Sequence, residues 1–346
     1  MMNREIIAHK FLMVAFLAAL HLVFLSIFLP DNAKAGQRAR LAYISDSPGS
    51  SAPYWIAKEA GLYKKYGLDA ELIFINGSTR GIQGLIAGDL DFVGAVGTSA
   101  MNGRMAGGDI AIIDSLVNTL PYYIIGKPSI KSPEDLKGRA AATHIPGTSA
   151  DFALRLALRK FGISYQDIKA VMVGGATARV AAVINGQVDF TMVTDSGKIQ
   201  GEKAGLKVII DMAKLKIPFQ FTCTVASRGL IREQSETVGK MVKAVAEAVH
   251  FFKANKKEAI AIMAKYTRGQ NPAVLEGSWI AYKTLLQEDT YPTLEGLNDT
   301  LAVQANWDPK AAHAKAEDFV DLRFVDQLKK SGFVNKLYGD NHISRN

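Results

Sequence analysis

The chain has 346 residues, of which 48% are hydrophobic and 21% are charged, and its formal net charge is +8. These proportions are those of an ordinary globular protein with enough apolar material for a buried core. Lys and Arg residues are spread along the chain rather than clustered, so the sequence lacks the basic stripe that is typical of nucleic-acid binding. The single cysteine, Cys223, excludes an internal disulfide, and its apolar neighbours favour a small buried side chain over a nucleophile.

The N-terminus has the pattern of a secretory signal. Arg4 and Lys10 precede an apolar run over 11–29, and the small-residue site Ala-Lys-Ala follows at 33–35. This pattern predicts a signal peptide over 1–35 that is cleaved after its last residue, and therefore a periplasmic protein. The apolar run is also long enough to span a bilayer. An uncleaved anchor, carrying a ligand-sensing domain of a membrane-anchored signalling system, is the alternative.

The next part of the chain contains an internal repeat. PGSSAPYW at 48–55 returns as PGTSADF at 146–152, and LIAGDLDF at 85–92 returns as VINGQVDF at 183–190. Both pairs are 98 residues apart. The equal spacing predicts two similar structural units rather than a chance match of two loops.

Each copy alternates short apolar strands with helices. The predicted strands cover 41–44, 70–75 and 91–96 in the first copy, and 140–143, 168–173 and 189–194 in the second. The helix after the first strand is expected to have Ser50 or Ser51 as its N-cap, with Pro53 in the first turn. In the second copy Thr148 or Ser149 caps the helix, and Asp151 lies in the first turn. This alternation predicts an α/β fold with mainly parallel sheets in two lobes.

Two extended segments and a helical tail complete the predicted architecture. The segments 116–128 and 217–231 are interpreted as strands that cross between the lobes, and the chain is helical from about Arg232. The predicted domains are lobe 1 over 36–120, lobe 2 over 121–218, and a return to lobe 1 with C-terminal helices over 219–346. The two crossings form a hinge, and a cleft lies between the lobes.

The cleft is the predicted binding site. In open α/β sheets ligands bind beyond the carboxyl ends of the strands, and here those ends carry Gly-rich and hydroxyl-rich turns that lead into helices. Backbone N–H groups at helix starts favour anions. Asp46 and His144 occupy matched positions after the first strands; both are expected to cap loops, with ligand contact as the alternative. The DF pairs at 91–92 and 189–190 are interpreted as structural, with Asp closing a turn and Phe entering the core.

Several stretches carry a resemblance to a known family. They are PYWIAKEAGLYKKYGLDAELI (53–73), LIAGDLDFVGAVGTSAM (85–101), LKGRAAATHIPGTSADFALRLALRKFGI (136–163) and VINGQVDF (183–190). In these stretches the chain resembles periplasmic solute-binding proteins of ABC importers, in the nitrate, sulfonate, taurine and thiamine-precursor group that includes NMT1/THI5-like and SsuA-like proteins. The resemblance implies a type II periplasmic binding protein fold, a monomer, and permease and ATPase subunits as partners.

The resemblance also implies a set of ligand-binding residues. Carried over to this sequence, they are Ser51, Tyr54, Trp55, Thr98, Ser99, Gly147, Thr148 and Ser149. Tyr54 and Trp55 are each interpreted either as core residues or as aromatic surfaces for the ligand. Arg80, after the second strand of lobe 1, could pair with a carboxylate or sulfonate. Asp195, in the turn after the third strand of lobe 2, is also a candidate ligand-binding residue.

The sequence does not favour an enzyme. It has no G-x-x-x-x-G-K-[ST] phosphate loop, no G-x-S-x-G elbow, and no H-E-x-x-H or paired-cysteine motif, so neither a cofactor nor a metal is predicted. A catalytic relative of the same fold is the remaining alternative. The ligand class stays open among sulfonates, nitrate, taurine, aromatic acids and pyrimidines, because family members bind all of these.

Overall fold

The structure is a computed structural model, and it describes residues 36–45, 47–146, 148–267, 271–306 and 308–339. The predicted signal peptide and the candidate residues Asp46 and Gly147 lie outside the described residues. Within the described part, no helix has the length and apolar character needed to cross a bilayer.

Within the described residues, ten strands form two five-stranded sheets. The strands are β1 (Gln37–Tyr43), β2 (Leu68–Phe74), β3 (Phe92–Ala95), β4 (Ile110–Thr119), β5 (Tyr123–Gly126), β6 (Ala140–Thr143), β7 (Lys169–Met172), β8 (Phe190–Val193), β9 (Lys207–Asp211) and β10 (Pro218–Ser227). Their order is β2-β1-β3-β10-β4 in the first lobe and β7-β6-β8-β5-β9 in the second. Because the two orders are equivalent, the predicted two-lobed α/β architecture is confirmed.

Helices cover both sheets. In chain order they are α1 (Pro48–Glu59), α2 (Leu62–Lys65), α3 (Ser78–Ala87), α4 (Gly97–Met105), α5 (Ser149–Lys160), α6 (Ala176–Ile184), α7 (Asp195–Lys203), α8 (Arg228–Glu233), α9 (Ser235–Ala254), α10 (Lys256–Tyr266), α11 (Pro272–Leu285), α12 (Leu294–Gln304), α13 (Arg323–Lys330) and α14 (Phe333–Tyr338). The predicted helical tail is therefore present. The apolar stripe of α9, which includes Val238, Met241 and Val245, is fully buried.

Each sheet is mixed but mainly parallel, as predicted, because four of its five strands run in one direction and one runs against them. The three strands of each repeat copy are parallel, with β1 between β2 and β3 and β6 between β7 and β8. The strands nearest the connections, β10 in the first lobe and β5 in the second, run antiparallel to both of their neighbours. These strands next to the connections are thus members of the sheets, whereas the sequence repeat predicts only the three parallel strands of each lobe.

The strand register corrects the alignment of the two copies. Leu41 pairs with Phe92, whereas Ala141 pairs with Phe190, so the first strands are 100 residues apart while the third strands are 98 apart. His144 directly follows β6 and is therefore equivalent to Ile44, not to Asp46 as the constant spacing predicts. The loop before α5 (144–148) is one residue longer than the loop before α1 (44–47), so the matched sequence motifs do not start their helices at equivalent residues.

The DF pairs have the predicted structural role. Asp91 accepts the backbone N–H of Arg40 at 2.7 Å, and Asp189 accepts that of Ala140 at 3.0 Å. The following Phe92 and its counterpart in β8 are fully buried. Each Asp thus joins the third strand to the first in its own lobe.

The start of α1 differs from the prediction. Ser47 is the N-cap and Pro48 is the first helical residue, so Ser50 and Ser51 lie inside the first turn. The reason is that Pro48 has the fixed backbone angle of a first-turn proline, which starts the helix earlier than Pro53 would. In the second lobe, Thr148 is the N-cap of α5 and Asp151 lies in its first turn, as predicted.

The two crossings occur at other residues than expected. β4 ends at Thr119 and β5 begins at Tyr123, so the first crossing is confined to 120–122. β10 lies wholly in the first sheet and is followed directly by α8, so 217–231 is not a crossing strand. The second crossing precedes it, through the short 3-10 helix Met212–Leu215 and the residues up to 217.

Candidate functional site

A cleft with a volume of about 790 Å³ lies between the lobes. In the first lobe it is bounded by the loop before α1 and by the starts of α1, α3 and α4; in the second, by the loop before α5, the start of α5 and the N-cap of α7. Tyr122 in the first crossing and Phe221 in β10 also line it. A cleft of this size is suited to a small molecule.

Hydroxyl groups dominate the wall of the cleft. The hydroxyl-bearing Ser and Thr residues in contact with it are Ser45, Ser47, Ser50, Ser51, Ser78, Thr79, Ser99, Thr148, Ser149, Thr194 and Thr222. The titratable side chains are Arg80, His144, Tyr54 and Tyr122, and no Asp or Glu occurs among the described residues of the wall. The described wall therefore offers hydrogen-bond donors and positive charge but no carboxylate.

The hydrogen bonds of these hydroxyls show which of them have a proton to offer. Ser51 donates to the carbonyl of Ser45 at 2.7 Å, and Thr148 donates to that of Ile145 at 2.8 Å. These two hydroxyls hold the loops before α1 and α5. By contrast, Ser45 accepts the N–H of Ser47 and Ser78 accepts the N–H of Val96, both at 2.9 Å. The protons of the Ser45 and Ser78 hydroxyls are consequently available to a ligand.

Tyr54 contributes its ring to the cleft while its hydroxyl points into the protein. The hydroxyl lies 3.2 Å from Oγ1 of Thr224, whose backbone N–H donates to Oδ1 of Asp114 at 2.9 Å. Burial raises the pKa of Tyr54 well above its usual value, so it stays neutral. The ring passes directly over Gly94, where a Cβ atom would lie 2.4 Å from Cε2 of Tyr54.

Tyr122 connects the crossing to the second lobe. Its hydroxyl lies 3.0 Å from Oγ of Ser149 at the start of α5, and its ring meets that of Phe221 edge-on with centroids 5.6 Å apart. Neither aromatic residue was a sequence-based candidate. Their position, next to the two crossings where both lobes meet, is the signal that could have identified them.

His144 contacts the cleft immediately after β6. Burial lowers the pKa of His144 below its usual value, and the nearby guanidinium of Arg179 lowers it further, so the imidazole is neutral at neutral pH. Its Nδ1 is buried and has no hydrogen-bond partner among the described residues. The sequence left two roles open for His144, loop capping and ligand contact. Its position in the cleft wall allows ligand contact.

Six of the ten candidate residues border the cleft. They are Ser51, Tyr54, Arg80, Ser99, Thr148 and Ser149. Gly147 lies outside the described residues. The other three, Trp55, Thr98 and Asp195, are buried away from the cleft wall.

Helix geometry explains why these three are displaced. Trp55 follows Tyr54 on α1, and one residue along a helix turns the side chain by about 100°, which carries Trp55 into the core. There it stacks on Tyr266 with ring centroids 5.0 Å apart. Thr98 precedes Ser99 on α4 in the same way. Asp195 follows Thr194 and accepts a hydrogen bond from Ser278.

Cys223 lies on β10 and is fully buried. Its thiol donates to the carbonyl of Ala95 at 3.4 Å, and burial raises the pKa of Cys223 well above its usual value. The predicted role of a small buried side chain is confirmed. Among the described residues no cluster of His, Cys, Asp and Glu could hold a metal ion.

Comparison with known proteins agrees with this geometry. Residues 49–259 match the family model described as NMT1/THI5 like. The chain belongs to the NMT1/THI5-like family. A protein of Brucella abortus (strain 2308), whose name calls it a binding protein, is 33% identical over 249 residues, which are 70% of this chain and 75% of that protein. The matched residues thus cover most of the two lobes.

Solved structures share the fold of this family member. The periplasmic aliphatic sulphonate binding protein SsuA of Escherichia coli superposes with a TM-score of 0.64 at 20% identity, covering 86% of this chain and 88% of that one. The alkanesulfonate-binding protein SsuA of Xanthomonas axonopodis pv. citri, bound to MOPS, gives 0.65 at 18% identity, covering 82% and 96%. These similarities establish the periplasmic binding protein fold.

Proposed function

We propose that this protein is an extracytoplasmic solute-binding protein that captures a small anion in the interlobe cleft and delivers it to an ABC importer. The observation that carries the proposal is the chemistry of the described cleft wall, which combines many hydroxyls with Arg80 and His144 and has no carboxylate. An organic sulfonate or nitrate is the ligand class that fits best. Both present several acceptor oxygens and no donor, so they match a wall of donors.

Helix starts add to the preference for an anion. The first turns of α1, α3, α4 and α5 all border the cleft, and each leaves backbone N–H groups without partners inside its helix. The dipole of each helix places partial positive charge at the same end. The ligand would therefore be held by backbone and hydroxyl donors from both lobes.

The position of the ligand between two lobes supports transport rather than catalysis. A ligand that contacts both lobes couples its own binding to their closure, which an importer can recognise. The proposed partners are the permease and ATPase subunits of that importer, the proposed state is a monomer, and the proposed compartment is the periplasm after cleavage of residues 1–35. The buried Cys223 is unsuited to a nucleophilic role because its thiol stays protonated.

A thermal-shift screen followed by calorimetry tests the proposed function. Nitrate, 1-butanesulfonate, taurine, benzoate and a neutral pyrimidine are compared with 1-butanesulfonamide, which has the shape of the sulfonate without its charge. A true ligand present at 100 times its Kd stabilises the protein by about 2.7 kcal/mol. We expect the anions to stabilise it strongly and the sulfonamide to stabilise it only weakly, because the sulfonamide lacks the charge. Stabilisation by the pyrimidine or the sulfonamide alone would contradict an anion-binding role.

A pair of serine variants identifies the donors. Ser78→Ala removes a hydroxyl whose proton is available, and a hydrogen bond to a charged partner is worth about 1.5–3 kcal/mol, or about ten- to a hundredfold in affinity. Ser331→Ala is the matched control, because Ser331 lies outside the cleft wall and donates to the carbonyl of Leu328. We expect weaker anion binding for the first variant and unchanged binding for the second.

A further inference from the structure

Arg179 is a buried cation in the second lobe that was not a sequence-based candidate. Its side chain is 4% exposed, and it lies in the first turn of α6. Its Nη1 donates to the carbonyl of Gly174, and its Nη2 donates to that of Met192 at 3.0 Å. A guanidinium has five N–H donors. Within the described part of the chain it has no carboxylate partner.

The position of Arg179 near the start of α6 makes the burial of its charge more costly. Positive partial charge at the N-terminus of a helix disfavours a cation there. The other two helices that begin at this edge of the sheet have acids in their first turns, namely Asp151 in α5 and Asp195 in α7. Asp151 is moreover paired with Arg155 at 3.0 Å. Lys198 occupies the same fourth position in α7, but it is partly exposed and pairs with Glu202 at 2.9 Å. Arg179 differs because it is buried, and burial of an unpaired charge is strongly unfavourable.

Arg179 lies directly behind the cleft wall. The carbonyl of Met192 is on β8, two residues before Thr194 of the wall. The N–H of Gly174 donates to the carbonyl of Thr143, and the next residue along the chain is His144. The guanidinium thus sits at the carboxyl edge of the second sheet, between the two loops that form the lobe-2 wall.

Two groups of the wall are electrostatically coupled to this cation. The positive charge of Arg179 adds to burial in lowering the pKa of His144, and it offsets part of the rise that burial causes in the pKa of Tyr122. A charge that acts on both groups also acts on a ligand placed between them. Because Arg179 is buried, water screens its charge less than it screens that of the exposed Arg80.

We propose that Arg179 is the charge that selects for anions in the second lobe, so that the sulfonate or similar oxyanion of the ligand is held against His144, Tyr122 and the start of α5. This inference rests on the proposed capture of a small anion and specifies where its charged end lies. The remainder of the ligand then extends toward Tyr54 in the first lobe. The bound oxyanion compensates a cation that the described part of the chain leaves unpaired, and Arg179 acts through the wall as a positioning and selectivity residue.

The test compares Arg179→Met with Arg179→Lys and with Arg159→Met. The last is the matched control, since Arg159 is an exposed residue in the last turn of α5, in the same lobe but outside the cleft wall. Calorimetry measures affinity for 1-butanesulfonate and for uncharged 1-butanesulfonamide. We expect Arg179→Met to lower the sulfonate-to-sulfonamide affinity ratio by about tenfold or more, as for a charge–charge attraction of about 1.4 kcal/mol or more across the wall. The lysine variant should retain most of the ratio, and Arg159→Met should retain all of it.

A second measurement separates an electrostatic role from a structural one. Titration of His144 by nuclear magnetic resonance, with its signal assigned by loss in His144→Gln, should give a higher pKa in Arg179→Met than in the wild type. If Arg179→Met fails to fold, the same comparison is made with Arg179→Lys against Arg179→Gln.

The possible results distinguish the inference from the proposed function. Wild-type binding of butanesulfonate with an unchanged affinity ratio in the folded Met or Gln variant overturns the role of Arg179 and leaves anion capture standing. Failure of the wild type to bind butanesulfonate, nitrate or benzoate overturns both. A reduced ratio with a raised His144 pKa supports the inference.

Discussion

The carboxylate of Asp195, in the first turn of α7, accepts a hydrogen bond from the hydroxyl of Ser278 on α11. Both side chains are buried. Because α7 covers the second sheet while α11 packs on α1 of the first lobe, this contact is a third link between the lobes besides the two crossings. Burial raises the pKa of Asp195, and hydrogen bonds from the Ser278 hydroxyl and from the backbone at the start of α7 offset part of that rise.

Ser278→Ala should weaken the fold without weakening ligand binding. The variant leaves the buried carboxylate of Asp195 without its side-chain donor, which costs about 1–3 kcal/mol in the free energy of unfolding. Affinity should be unchanged because neither residue borders the cleft. Chemical denaturation measures the first quantity and calorimetry with the anion identified by screening measures the second. A large loss of affinity with normal stability would return Asp195 to the binding site.

Trp55→Ala should behave as a core truncation. The indole is fully buried and stacks on Tyr266 at an interplanar angle of 7°. Loss of a buried Trp side chain costs about 3–5 kcal/mol in the free energy of unfolding. At a temperature where the variant is still folded, its affinity for the ligand should equal that of the wild type. Weak binding by a protein of normal melting temperature would instead show that Trp55 contacts the ligand.

Gly94→Ala should disturb the cleft through Tyr54. The new methyl group would lie 2.4 Å from the ring, so the ring or strand β3 must move. We expect a large loss of affinity together with a lower melting temperature. Gly239→Ala is the control, because the nearest atom to its added Cβ is Cδ1 of Phe324 at 3.8 Å, an ordinary contact. In the second turn of α9 that change should be neutral or slightly stabilising. Normal binding by Gly94→Ala would show that the position of the Tyr54 ring is unimportant.

Asp114 should make stability depend on pH. Burial raises the pKa of Asp114 from 3.8 to about 6. The folded protein therefore holds this proton between those values while the unfolded chain loses it, so stability falls as pH rises from about 4 to about 6 and is level above that. The full effect is about 3 kcal/mol, at 1.36 kcal/mol for each pKa unit.

Asp114→Asn isolates this contribution. Its side-chain oxygen can still accept the N–H of Thr224, but it does not titrate. The difference in unfolding free energy between the variant and the wild type should therefore change by up to about 3 kcal/mol between pH 4 and pH 6.5. A difference that is constant with pH would show that Asp114 has an ordinary pKa.

The sequence predicted the repeated α/β lobes, the helical tail and the cleft between the lobes, because periodicity and turn chemistry are local signals. It did not predict which side of a helix meets the cleft. Tyr54 and Trp55 are adjacent aromatics, and only the packing of α1 against β3 and α10 separates their roles. It also missed Arg179, since an arginine on an apolar helix has no local signature of burial. Constant repeat spacing misplaced His144, because the loop after β1 and that after β6 differ in length.

Ligand binding should bring the lobes together about residues 120–122 and 212–217. Spin labels on Glu71→Cys in the first lobe and Lys160→Cys in the second report the interlobe distance, while labels on Glu71→Cys and Lys330→Cys lie within the first lobe and serve as the control. All three positions are exposed, whereas the native Cys223 is buried and should remain unlabelled. We expect the interlobe distance to shorten on addition of the screened anion and the control distance to stay constant, as in hinge closure. An interlobe distance that does not change at saturating ligand would contradict closure and weaken the proposed delivery to an importer, since the bound and free proteins would then present the same surface.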